Sequence, residues 1–198
     1  MQQRSEETHA IILESAYQLF SRNGYEATSV ADICQSAGVS KGALYHHFPT
    51  KQAIFLELME SWLTGLDAGF QAVRLETQNV PQAILKMANL AGQVVQSTDT
   101  KLSIILEFWT QASRDPSIWN TAIAPYRRYQ EYFTALIQEG INEGSFSPDI
   151  DPHAAARALV SLAVGLLMQA VFDPQTINWA HEVHHSIDFM LKGLEKRN

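Results

Sequence analysis

The sequence predicts an all-α protein, and three observations carry that reading. Apolar residues recur at helical spacing along almost the whole chain, no strand-like alternation of useful length occurs, and helix caps and breakers punctuate it throughout. Ile12, Ala16, Leu19 and Phe20 form one face of a first helix that Asn23-Gly24 ends. Thr28 precedes a short second helix with Asp32 in its first turns; Ala37-Gly38-Val39 makes a turn, Ser40 caps a third short helix, and Pro49 closes it. A long helix from about residue 50 to 75 follows, with the stripe Phe55, Met59, Trp62, Leu66, Phe70, Val73. At 1.5 Å per residue it reaches about 39 Å, enough to belong to two domains.

Pro81 opens the next helix, with Ile84, Ala88 and Ala91 inward, and residues 102–114 form another. Asp115-Pro116 starts a segment that Pro125 is expected to kink or restart. Gly144-Ser145-Phe146-Ser147-Pro148 is the clearest breaker, and Asp151-Pro152 opens a helix to about Phe172. That helix carries small residues at Ala154, Ala158, Ser161 and Gly165 on one side and Val160, Val164, Leu167 and Val171 on another. A helix apolar on two sides needs two covers. The last helix has the seam Trp179, Val183, Ile187, Met190 and Leu194, so two such helices suggest a bundle formed by pairing two chains.

Composition limits the function classes. With 198 residues, 46% hydrophobic and 18% charged, the chain is ordinary globular material. Its single cysteine, Cys34, allows no internal disulfide framework and reads as a small buried filler. The longest uncharged apolar run, Ala158 to Phe172, is shorter than the roughly 18 residues a membrane span needs, and the polar N-terminus has no signal-like core. A cytoplasmic protein with no membrane partner is therefore expected. The net charge of −7 argues against a general nucleic-acid coat, but no carboxylate occurs from Ile33 through Leu56. Lys41, His46, His47 and Lys51 lie inside that stretch, so a local footprint for DNA survives.

The segment "AGVSKGALYHHFPTK", residues 37–51, admits two readings. Gly38-Val39-Ser40-Lys41-Gly42 matches the G-x-S-x-G nucleophile elbow, which needs a strand before the serine and a sheet to hold it. Here the preceding residues 30–36 read as a short helix. The helix-turn-helix reading uses more of the letters: Ile33 and Leu44 where two helices touch, Cys34 where they cross, Gly38 where a side chain would obstruct the reversal, and Val39 as a plug. Its second helix offers Ser40, Lys41, Gly42, Ala43, Tyr45, His46 and His47 to a major groove. The second reading is preferred, and no enzyme is expected.

The run "YEATSVADICQSAGVSKGALYHHFPTK" resembles the DNA-binding domain of the tetracycline-repressor (TetR) family of bacterial transcriptional regulators. The motif G-V-S-K-G-x-L-Y-x-x-F-x-x-K spans both the turn and the start of the next helix, and the resemblance is strong over about residues 6 to 55. Beyond that it lies in "EGINEGSFSPDIDPHAAARAL" and the helical layout. It implies an N-terminal three-helix helix-turn-helix domain (1–50), joined by a long helix to a larger helical effector-binding and dimerisation domain (51–198). The implied protein is a homodimer that binds a palindromic operator and is released by a small-molecule effector.

Lys41 suits guanine or a phosphate, Gly42 allows close backbone approach, and Ala43 fits a thymine methyl. Tyr45, His47 and Lys51 match family positions that hold phosphates. Thr28, Ser29 and Ser40 offer hydroxyls or caps at the two helix starts, and Gln2, Gln3 and Arg4 a flexible arm. Ala31 departs from the family, where a basic or polar residue often reads bases, so more weight falls on backbone contacts and DNA shape.

The resemblance also assigns bulky residues of the larger domain, otherwise core, to a largely apolar effector cavity: Trp62, Phe70, Met87, Phe108, Trp109, Trp119, Tyr126, Tyr129, Phe133 and Met168. Arg127 and Arg128 would suit an anionic effector but read more simply as surface. The dimer interface is placed on Ala154, Ala158, Ser161, Gly165, Val183, Ile187 and Met190. His46 and His47 point about 100° apart, a poor metal pair, whereas His181 and His185 share one helical face at i, i+4. A solvated or interface histidine face explains them without a metal, and no cofactor is expected. Residues 1–51 hold four basic against five acidic side chains, which keeps open an alternative: a helical small-molecule carrier or sensor with a degenerate DNA-binding head.

Overall fold

A computed structural model describes residues 2–96, 99–173 and 175–195. Among the described residues there are nine helices and no strand, apart from an isolated bridge between Phe146 and Glu195. In chain order they are α1 Gln2–Asn23, α2 Val30–Ala37, α3 Lys41–His47, α4 Lys51–Glu76, α5 Val80–Gln96, α6 Asp99–Ala112, α7 Pro116–Asn142, α8 Pro152–Phe172 and α9 Trp179–Leu194. Two elements differ from the sequence reading. Residues Gln2 to Arg4 belong to the first turn of α1 rather than to a flexible arm, and their side chains lie outside the described residues. Pro125 sits inside α7 without restarting it, so the rest of the helix tolerates the one missing amide.

The chain packs as two compact units. The first comprises residues 1–64 with 103–119, the second residues 65–102 with 120–198. This packing division falls inside α4, whereas the functional division read from the sequence lies at residue 50.

In the first unit, Ile12, Ala16 and Phe20 of α1 are buried with Ile33 of α2, Leu44 of α3, Ile54 and Phe55 of α4 and Phe108 of α6. Phe108 stacks on Phe55 with ring centroids 4.1 Å apart and meets Tyr25 edge-on. Such a fully buried Phe contributes roughly 1.5–3 kcal/mol relative to exposure.

Among the described residues the second unit has one core, with Val80, Ile84 and Met87 of α5, Leu136 and Ile137 of α7, Phe146 of the loop after α7, Leu159 and Leu166 of α8, and Trp179, Val183, Ile187 and Leu191 of α9. α9 lies close on α5, where a Cβ on Gly92 would come 3.0 Å from Ala180 Cα. Two of the expected dimer residues, Val183 and Ile187, are therefore buried in their own chain, 5% and 3% exposed. The seam seen in the sequence is real, but it faces α5. The small stripe of α8 turns the other way: Ala154, Ala158 and Ser161 are exposed, and nothing lies within 4 Å of where a Cβ on Gly165 would sit.

α8 is also long and apolar enough to cross a membrane, at 21 residues with a mean hydropathy of 1.8, despite the shorter uncharged run counted in the sequence. Its composition has a simpler cause. Ala155, Leu159, Leu166 and Ala170 pack into the unit's core, and the stripe of small residues lies on the opposite side of the helix.

Candidate nucleic-acid interface

The reading head is built by local chemistry. Ser29, not Thr28, caps α2: its hydroxyl accepts from Asp32 N–H at 3.2 Å, while the Asp32 carboxylate accepts from Ser29 N–H at 2.9 Å and from its hydroxyl at 2.6 Å. Those bonds hold the Asp32 carboxyl below the ordinary carboxylate range. α2 ends at Gly38, whose φ of +66° places it in the left-handed region and lets Val39 N–H reach Cys34 O at 3.0 Å. No atom lies within 4 Å of a Cβ built there, so the glycine answers to backbone conformation rather than to crowding.

Ser40 then caps α3, its hydroxyl accepting from Ala43 N–H at 3.1 Å. A helix and a turn precede it, so Ser40 is not a nucleophile on an elbow; among the described residues no strand supports one. Leu44, fully buried, seats α3 on the unit's core. That single anchor decides what α3 presents: Lys41, Gly42, Tyr45 and His46 are exposed, with Ala43 and His47 half-buried beside them. A Cβ at Gly42 would meet only Ser40 Oγ, at an ordinary 3.8 Å, so no crowding at the turn requires the glycine. Ala31 on α2 is also exposed.

Two expected contacts are internal. Thr28 is fully buried and its hydroxyl donates to Gly24 O at 2.8 Å, so it offers no hydroxyl to DNA. Lys51 turns its ammonium onto the loop between α1 and α2, donating to Tyr25 O at 2.8 Å and Thr28 O at 2.9 Å, with the Tyr25 ring 4.4 Å below. Burial pulls the Lys51 ammonium below the ordinary lysine range against the opposing fields of Glu26 and Glu107. Its role in the chain is to hold that loop.

No local sequence signal points to the partner on the loop's other side. Glu107 of α6 accepts from the backbone N–H of Tyr25 at 2.9 Å and of Glu26 at 2.6 Å. Only tertiary folding brings a residue more than 80 positions away to this turn.

The expected effector residues divide between the units. Trp62, Phe108, Trp109 and Trp119 belong to the first, where Phe108 is core. Phe70, Met87, Tyr126, Tyr129, Phe133 and Met168 belong to the second. There Phe70 lies 6.0–6.3 Å from the rings of Tyr129, Tyr132 and Phe133. Met87 is buried beneath, with Tyr132 OH 3.9 Å from its sulfur, while Met168 is 38% exposed. Asp67 adds a charge to this aromatic group: it accepts from Tyr129 OH at 2.7 Å and pairs with Arg128 at 3.0 Å. Burial first, then Asp67, raises the Tyr129 hydroxyl's pKa above its ordinary value. Arg128 is thus committed to a carboxylate of its own chain. Tyr126 accepts from Gln130 Nε2 at 2.8 Å.

Known proteins share this fold. Residues 12–58 match the family described as bacterial regulatory proteins, tetR family, and residues 86–192 match the C-terminal domain of BetI-type transcriptional repressors. The HTH-type transcriptional regulator UidR of Escherichia coli is 26% identical over 171 residues, covering 84% of this chain and 83% of UidR. The HTH-type transcriptional repressor KstR2 of Mycolicibacterium smegmatis is 28% identical over 142 residues, 71% of this chain and 68% of KstR2. A crystal structure of a TetR-family regulator from Cytophaga hutchinsonii, 20% identical, superposes with a TM-score of 0.77 over 98% of both chains. The chain belongs to the tetR family of bacterial transcriptional regulators, with a BetI-type C-terminal part.

Proposed function

We propose that α3 is the reading helix of this ligand-responsive, homodimeric DNA-binding regulator, and that the protein acts in the cytoplasm as a repressor. The observation that carries the reading is the exposed face of α3, where Lys41, Gly42, Tyr45 and His46 stand in a stretch with no carboxylate. Lys41 donates to guanine or phosphate oxygens, the backbone at Gly42 comes close to the groove wall, and Ala43 meets a thymine methyl. Tyr45, His46 and His47 reach the flanking phosphates, with the hydroxyls of Ser29 and Ser40 beside the two helix starts. Two copies present two such helices to successive major grooves of a palindromic operator, about 34 Å apart.

The functional division follows the sequence: residues 1–50 read DNA and residues 51–198 bind effector and partner chain. The buried and half-buried rings of Phe70, Tyr129 and Phe133 over Met87 support an effector that is largely apolar. Such a ligand lowers operator affinity by as much as it prefers the non-operator state. The dimer forms on the stripe of exposed Ala154, Ala158 and Ser161 with half-buried Gly165, where no side chain beyond a hydroxymethyl keeps a second helix away.

The test is selection of bound duplexes from a random pool, beside a Lys41→Ala, Tyr45→Ala double variant. An enriched palindrome absent from the variant's pool is the expected result. If apo protein and protein with metabolite extract both enrich nothing, the carrier alternative replaces this reading. Steep salt dependence of binding to the selected duplex separates phosphate contact from any residual apolar association.

A further inference from the structure

The face of α9 that points away from its chain's core carries a histidine pair for which neither the core nor the DNA-reading head has a use. His181 and His185 are both exposed, one helical turn apart. Their Nε2 atoms lie 2.9 Å from each other and their ring centroids 4.2 Å apart, at an interplanar angle of 69°. The backbone beneath is fixed, because Asn178 caps the helix and accepts from His181 N–H at 3.1 Å. His184 is not part of the pair: its Nδ1 is 2.8 Å from Asn89 Oδ1. Asp188 is likewise occupied, its carboxylate bonded to Lys192 at 2.6 Å.

Two neutral imidazoles at this distance have two options. One Nε2–H donates to the other Nε2, or both lone pairs converge on a cation. The separation distinguishes among cations. Metal–imidazole bonds of about 2.0–2.1 Å give an N···N distance of about 2.9 Å at a 90° angle and about 3.3–3.4 Å at a tetrahedral angle. The observed 2.9 Å, also the length of an Nε2–H···Nε2 hydrogen bond, is the separation that a right-angled pair of ligands would need. Right-angled nitrogen pairs are the preference of Cu²⁺ and Ni²⁺ in tetragonal fields, not of tetrahedral Zn²⁺.

We propose that His181 and His185 chelate a divalent transition-metal ion of tetragonal preference, Cu²⁺ before Ni²⁺, through their Nε2 atoms. Water completes the coordination. Both ligands come from one chain, so the site does not depend on the DNA-reading assignment.

The experiment is calorimetric titration of the metal-free 198-residue chain with CuCl₂, NiCl₂ and ZnCl₂, with electron paramagnetic resonance of the copper form. The expected result is one Cu²⁺ per chain, held more tightly than Zn²⁺, with an axial spectrum coupled to two nitrogens. His181→Ala and His185→Ala should each weaken copper binding on the order of a hundredfold, because the second ligand adds by effective concentration. His153→Ala, which removes a solitary exposed histidine of α8, should change nothing. Circular dichroism of each variant shows whether it remains folded. Copper bound equally by wild type and the His181→Ala, His185→Ala double variant, or zinc bound as tightly as copper, overturns the proposal. So does the absence of copper binding, which leaves the pair a hydrogen bond only.

Discussion

Lys51 and Glu107 hold one turn of backbone by its two opposite polarities. At Tyr25 the lysine ammonium takes the carbonyl, at 2.8 Å, while the Glu107 carboxylate takes the amide, at 2.9 Å. The turn joins α1 to the capped start of α2, so both side chains act on the base from which α3 is presented. Gly24 fits the same grip. Its φ is +85°, and a Cβ there would come 2.9 Å from a Glu107 carboxylate oxygen.

Removing the carboxylate should loosen the head. Glu107→Ala leaves the Tyr25 and Glu26 amides without their acceptor, which costs about 1–3 kcal/mol. Urea unfolding should show a lower midpoint, and affinity for the selected duplex should fall although Glu107 belongs to no reading helix. An unchanged midpoint would mean that water satisfies those amides equally well.

The two lysines should separate by salt dependence. Lys41→Ala removes a phosphate or base contact and should reduce the slope of log affinity against log salt by about 1. Lys51→Met should lower both stability and affinity but leave the slope as it was, since its ammonium is spent on Tyr25 and Thr28 carbonyls. A slope lowered equally by Lys51→Met would return Lys51 to the phosphate role implied by the family resemblance.

The cap on α2 should fail in acid. Ser29's hydroxyl and amide hold the folded carboxyl of Asp32 below its ordinary value. A depressed folded value means the contribution is fully present above the unfolded pKa, about 3.9, and is lost as pH falls through the folded one. Asp32→Asn should therefore lower stability at pH 7 and make it less steep in pH below about 4, as followed by urea midpoints across pH. An acid limb as steep as wild type's would assign the titration to other carboxylates.

Glycines 38 and 42 should respond in opposite ways to alanine. At Gly38 the left-handed backbone costs a Cβ about 1–2 kcal/mol, despite the open space. At Gly42, in an exposed helical position, alanine should stabilise by up to about 1 kcal/mol. Operator affinity should fall in both, at Gly42 because the methyl stands between backbone and groove. Thermal unfolding beside duplex titration reads the two quantities separately, and a Gly42→Ala protein that binds as well as wild type removes close approach as the reason for that glycine.

Local signals account for what was legible in the sequence. Breakers and caps placed the helix ends, and Gly38, Ser40 and Leu44 placed α3 with its exposed side. Periodicity finds a buried stripe but does not say what buries it. Val183 and Ile187 carried the period expected of a seam, and α5 of the same chain turned out to be the cover. Tertiary contacts carry no local sequence signal: nothing in the sequence of α6 sets Glu107 apart, and Lys51 reads as a basic residue beside DNA. Thr28 and Ser29 are equivalent cap residues on paper, and the burial of Thr28 decides between them.

That distinction fixes where to look for the dimer. Ala158 is exposed on α8, half-buried Gly165 has open space where a Cβ would stand, and Phe172, 74% exposed, continues the same side of the helix. On α9, Phe189 is 82% exposed, on the side away from buried Val183 and Ile187. Ala158→Arg with Gly165→Arg puts two charges into this small-residue surface, and burying them unpaired is prohibitive. Light scattering should then report a monomer, with little change in helicity, and operator affinity should drop because one chain carries one reading head. Val183→Ala should do the reverse. It opens a hole in the core of one chain, costing about 1–3 kcal/mol, and leaves the dimer intact. A dimer that survives the double arginine variant but dissociates on Val183→Ala would restore the interface first read from the sequence seam.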